Sequence, residues 1–150
     1  MGDDGAELVA LIRSRGLEGD RHARQLLAEA GVRSMVRSAL VERVIAGMAS
    51  GAMPGAAGSV IKLYGAETAI RRAEIGLDLA GEDAVAWRAG TETAGARFGR
   101  HSLGRQGAAL GGGSNEIQRN IISERLLGMP RETAADRDIP YRDVRRSSGR

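Results

Sequence analysis

Apolar positions along this chain recur at intervals of three and four, which is the signature of helices buried on one side. In residues 6–15, Leu8, Leu11 and Ile12 share a face, and Arg13 and Arg15 suit a helix C-terminus before Gly16. Residues 1–4 read as a frayed end. Gly19 and Asp20 open a second element. Its apolar face runs through Leu26, Leu27, Ala30, Val32, Met35, Val36, Ala39, Leu40, Val44 and Met48. Arg33, Arg37, Glu42 and Arg43 take the wet side. Gly31 weakens this long amphipathic helix locally without ending it, and Ala49-Ser50-Gly51 closes it. Met53-Pro54-Gly55 is a turn. A third helix then carries Leu63, Ala66, Ile70, Ala73, Leu77 and Ala80, a seam suited to bundle packing, and ends at Gly81. On its surface Glu67 and Arg71, four apart, read as an exposed ion pair.

Residues 82–110 are patterned less regularly. Trp87 reads as the anchor of a helix join, residues 91–98 as a short helix, and residues 99–106 as a loop. Residues 111–130 are the best-punctuated stretch: three glycines, then Ser114 or Asn115 as a helix cap, Glu116 in the first turn, and an apolar set of Ile117, Ile121, Ile122, Leu126 and Leu127. That set wraps most of the circumference and predicts an interior helix. Gly128 occupies the place of a left-handed cap, and Pro130 forbids continuation. The tail from residue 133 is charged, contains Pro140, ends in arginine-rich sequence and is expected to be mobile. With no strand-like alternation and no repeat period, the fold class is all-α, an antiparallel (up-down) four-helix-bundle-like domain over residues 1–132, followed by the tail at 133–150.

Composition narrows the chemistry. Aromatic residues are only 3% of the chain, so the core must rest on aliphatic side chains and closely approaching helices. There is no cysteine, which removes disulfides and thiolate chemistry. The net charge is +3 and almost all the positive charge is arginine, with Lys62 the single lysine. Acidic residues are interleaved with the arginines throughout, which reads as solvated ion-paired faces and not as a nucleic-acid surface. No apolar run approaches the roughly 20 residues of a membrane span, and the acidic start is no secretory signal, so a cytoplasmic setting without membrane contact is expected. His22 and His101 stand far apart in sequence, His22 in a charged helical stretch and His101 in an arginine-flanked loop. No metal-ligand spacing exists. Ser114 has no His/Asp partners of a nucleophilic triad, and the three glycines neither follow a strand nor precede Lys-Ser/Thr, so they are not a P-loop.

The run Gly113-Ser114-Asn115-Glu116-Ile117-Gln118-Arg119-Asn120-Ile121-Ile122, continued through Leu127-Gly128-Met129-Pro130-Arg131-Glu132, closely resembles the signature near the C-terminus of acyl-CoA dehydrogenases. Ser114, Asn115 and Ser123 stand where that family has Thr, Ser and Ala. Upstream, Ser59-Val60-Ile61-Lys62-Leu63-Tyr64-Gly65-Ala66-Glu67 and Gly76-Leu77-Asp78-Leu79-Ala80-Gly81 resemble two further family segments. The resemblance covers most of residues 6–132 and corresponds to the C-terminal helical domain alone. The family's other two domains are not in this sequence.

What the resemblance implies is oxidation of an acyl-CoA to a 2-enoyl-CoA, of fatty or steroid side-chain type, with FAD as cofactor, an electron-transfer flavoprotein as redox partner, and assembly into homo- or hetero-oligomers. A carboxylate takes the α-proton in that chemistry. In many members it precedes the glycine of the signature, and the aligned position here is Gly112, so the resemblance implies no catalytic residue in this chain. Glu116 and Glu124 do not take its place. Toward FAD the resemblance implies Gly113, Ser114 and Glu116, and also Asp78 and Gly81 near the family's pyrophosphate-side turn. For Ser114 the residue reading leaves plain capping equally open. The family's Arg-containing segment that reaches a neighbour's FAD is missing from the first connection, and Asp78 replaces a Gln. These departures point to a subunit without the usual glutamate. The alternatives are a flavin oxidase or monooxygenase relative, and a helical oligomerisation module that binds no flavin.

Overall fold

The computed structural model describes residues 3–86, 90, 93–131 and 139–144. Those residues are helical and turn segments, with no strand among them. Helix α1 spans Asp3–Ser14, so the start expected to fray is already helical from Asp3. Helix α2 spans Arg21–Ala49, and Asp20 caps it by accepting from the Ala23 amide at 2.7 Å. A 3-10 turn at Gly55–Ala57 leads into α3, Gly58–Ala80, which stops at Gly81 with φ +55°.

The region beyond Gly81 departs from the sequence reading. A 3-10 turn at Gly81–Ala84 is followed by α4, Ala94–Gly104, and α5, Gln106–Leu110. The stretch expected to be a loop at 99–106 is therefore mostly helix. Thr93 starts α4 by accepting from the Ala96 amide at 3.0 Å. Trp87 lies outside the described residues, as does most of the tail. Within the tail, Tyr141–Asp143 forms a 3-10 turn.

Helix α3 is the hub, packing against α2, α4, α5 and α6. Its pairing with α2 runs in opposite directions, because Glu29 meets Arg71 while Arg37 lies against Gly65. The fixing contact is a two-pronged ion pair: Arg71 Nε and Nη2 each donate to Glu29 at 2.8 Å, with Arg33 Nε adding a third bond at 2.9 Å. The arginines hold the Glu29 carboxyl down at about 2, chiefly through the Arg71 hydrogen bonds. Arg71 is therefore taken by Glu29 and not by Glu67. Glu67 pairs instead with Arg119 at 2.5 Å, which corrects the expected surface pair. Geometry decides the choice, since a planar guanidinium facing a carboxylate makes two bonds at once.

The apolar core gathers at one end of the molecule. Leu8, Leu11 and Ile12 of α1 meet Ala23 and Leu26 of α2, Ile75, Leu79 and Ala80 of α3, and Phe98 of α4. Phe98 sits directly over Gly76. A Cβ there would lie 2.0 Å from the ring, so glycine is what lets α4 approach α3. Farther along, the predicted apolar face of α2 is not covered. Met35 is 66% exposed and Val32 53%, although both lie on the stripe read as core. The reason is length: α1 has 12 residues against 29 in α2 and shields only the first part of that face.

Candidate functional site

The bend before α6 is made by backbone conformation. Gly112 and Gly113 have φ of +71° and +97°, a region that L side chains enter only with strain. The Gln118 side-chain amide donates to the Gly112 carbonyl at 3.0 Å and closes the bend. A Cβ on Gly113 would come within 2.9 Å of that amide nitrogen. At Gly112, by contrast, nothing lies within 4 Å of a built Cβ, so the site has room for a side chain on a backbone that disfavours one.

Helix α6 spans Asn115–Ile121 and continues as a wider π turn over Ile122–Leu126. Ser114 caps it, its hydroxyl accepting from the Ile117 amide at 3.3 Å. The Glu116 carboxyl is held below its ordinary value by a bond to its own backbone N–H, then by the Ser114 hydroxyl, with Arg119 and Lys62 adding attraction. Gly128, with φ +66°, stands at the expected stop.

The interior helix of the sequence reading is corrected here. Ile117 is half exposed and Leu127 more so, whereas the buried residues are the polar Asn115 and Gln118. Both serve the bend. Lys62 Nζ, near the start of α3, donates to Asn115 Oδ1 and to the Ala109 carbonyl, each at 3.2 Å. One cation thus ties α5, the glycine bend and α6 to α3, and Arg119–Glu67 repeats the tie a turn later. The apolar wheel count missed this because the face of α6 that meets α3 is satisfied by hydrogen bonds. Lys62, Asn115 and Gln118 were absent from the candidate site. A single lysine in an otherwise arginine-only chain was the available signal.

Of the five residues expected to face a cofactor, Gly113, Ser114 and Glu116 are consecutive or nearly so at the bend. Asp78 and Gly81 lie elsewhere. Lys62, which touches the bend, precedes Asp78 by sixteen residues of α3, or about 24 Å of helix. Asp78 is exposed and Gly81 is a helix stop. Within one chain the two groups do not form one cradle, and Ser114 is already engaged as a cap. His101 lies on α4, edge-on to Phe98 with ring centroids 6.3 Å apart, which replaces the expected loop position. Among the described residues no group of three or more His, Asp or Glu could hold a metal ion. None of the described helices is long and apolar enough to cross a membrane.

The helical hub α3 holds, at its first turns, the glycine bend between α5 and the short capped helix α6. The model of the acyl-CoA dehydrogenase C-terminal domain matches residues 6–127, and the chain belongs to that family. Two curated relatives share 86% identity with it over 21 residues: acyl-CoA dehydrogenase IpdE1 of Mycobacterium tuberculosis and acyl-CoA dehydrogenase IpdE1 of Mycolicibacterium smegmatis. The matched stretch is 14% of this chain and only 6% and 5% of those two proteins. No solved structure matches.

Proposed function

We propose that this chain serves as the C-terminal helical domain of an FAD-dependent acyl-CoA dehydrogenase-like assembly, in which acyl-CoA is oxidised to 2-enoyl-CoA and another polypeptide supplies the proton acceptor. The observation that carries this reading is Gly112. It aligns with the position where many members have the glutamate, and here it is a left-handed glycine, which neither takes a proton nor welcomes a side chain. The residues implied for FAD do not fit the cofactor as one site in a single chain. No catalytic step is therefore assigned to them. The distance between the two groups, which lie near opposite ends of α3, is what supports placing FAD at a junction between subunits, where the bend of one chain would meet the Asp78–Gly81 end of another. An electron-transfer flavoprotein is the implied redox partner. Residues 1–132 would form the domain and 133–150 its appendage.

The experiment is co-expression with an acyl-CoA dehydrogenase-like subunit, followed by flavin absorbance and an acyl-CoA panel assayed for dehydrogenation. The expected result is a yellow complex active only with the partner. Strong dehydrogenation by the unmodified chain alone overturns the reading. A helical oligomerisation module without flavin is the second reading, favoured by the exposure of Asp78. A colourless but stable complex would select it.

A further inference from the structure

Glycine loses more freedom on ordering than any other residue, yet three in a row form the bend at Gly111–Gly113 away from the apolar core. Lys62 and Ile75 mark the two regions on α3, about 20 Å of helix apart. Polar bonds order the bend instead. We infer that Lys62 is its positioning residue: one ammonium, bonded on both sides of the glycines, fixes the edge that Gly113, Ser114 and Glu116 present at the subunit junction. The inference rests on the flavin reading above and names the residue that shapes this chain's side of that junction.

Three observations carry this. The first is where the bonds fall. Ala109 is in the last turn of α5, where carbonyls have no partner within the helix, and Asn115 opens α6. Lys62 Nζ donates to the Ala109 carbonyl and to Asn115 Oδ1 at 3.2 Å each, so a single side chain clamps both ends of the glycine run. Gln118 adds its amide to the Gly112 carbonyl at 3.0 Å. Asn115 is 8% exposed and Gln118 5%. Buried polar groups with all their partners in place select one geometry.

The second observation is residue type. Lys62 is the one lysine among 22 basic residues. A guanidinium is a rigid fork suited to the two oxygens of one carboxylate, as Arg71 shows at Glu29. The donors of an ammonium rotate, so they can serve acceptors that arrive from separate segments. Ala109 and Asn115 make that second demand.

The third is separability. None of the partners of Lys62 belongs to the apolar core, and Arg119 fastens α6 to Glu67 of α3 independently. Loss of the lysine therefore alters the shape of the bend while α6 stays attached.

The chain has no cysteine, so Lys62→Cys introduces a single thiol. Alkylation with 2-bromoethylamine rebuilds a side chain of lysine's length and charge, whereas iodoacetamide leaves a neutral one of similar size. The alkylated chains are combined with the acyl-CoA dehydrogenase-like subunit, and FAD affinity is read from flavin fluorescence. Lys62→Cys is expected to weaken FAD at least tenfold in an assembled complex. The aminoethyl form should recover to within about twofold of the unmodified chain and the carbamidomethyl form should not. Amide exchange over residues 109–118 of the isolated chain should follow the same order. Unchanged FAD affinity in Lys62→Cys, or equal recovery with both reagents, overturns the inference, as does loss of helical circular dichroism in the variant. A colourless complex of the unmodified chain overturns the flavin reading itself. Exchange then decides for Lys62: recovery by the aminoethyl form alone upholds its hold on the bend, and any other order removes it.

Discussion

Glu29 shows how one carboxylate can set the pH response of the α2–α3 contact. Its carboxyl is held at about 2 in the folded chain, against an ordinary value of 4.5. A depressed folded value adds stability that is present above about 4.5 and is lost as pH falls toward 2. Because the side chain is one-third exposed, solvent screening reduces the contribution to about 1 kcal/mol. Glu29→Gln should therefore lower the thermal midpoint at pH 7 and flatten its fall between pH 5 and 2, as followed by circular dichroism. Gly112 gives a second residue-scale expectation. Gly112→Glu finds open space, yet the left-handed backbone costs about 1–2 kcal/mol. The variant should unfold earlier and give no dehydrogenation in the isolated chain. Neither value of φ at 112 and 113 was legible in three consecutive glycines, although the presence of a bend was.

Helices α3 and α4 meet through a close approach that the sequence hinted at only by composition. Scarce aromatics implied closely approaching helices, but nothing local to Gly76 named Phe98 as its neighbour, because the contact is made by residues far apart in the chain. Gly76→Ala should cost about 1–3 kcal/mol through the displaced ring, which a denaturant titration measures as a lower midpoint with the slope retained. Helix α6 teaches a different lesson. Its start, cap and stop were readable from Ser114, Glu116 and Gly128, since those signals are local. Which face it buries was not readable, because Lys62 lies in another helix. Lys62→Met removes the charged donor and strands Asn115, at a cost of about 2 kcal/mol. Amide exchange across residues 109–118 should accelerate while α1 and the first half of α2 stay protected.

At the scale of the molecule, the helical class and the order of the long elements follow from periodicity alone, the resemblance was carried by segments at 59–81 and 113–132, and family membership rests on the match over residues 6–127. The site was harder to read. The residues nominated near FAD lie near opposite ends of α3, and a linear string carries no measure of that distance. Helix boundaries in residues 82–110 also went astray, because glycine and arginine there obscure the apolar stripe that α4 buries through Phe98 and the small residues beside it. The uncovered half of α2 has the same origin: its stripe is real, while the partner that shields it is short.

The crowding of aliphatic side chains near Ile75, with little of the kind at the bend, has a further consequence. Cooperative opening should begin where hydration already reaches the backbone and arrive last at the Leu8–Phe98 knot. Under limited proteolysis in mild urea, the first nicks within residues 3–131 should therefore fall close to Gly111–Gly113, releasing the segment that carries Ser114 before the remaining helices loosen.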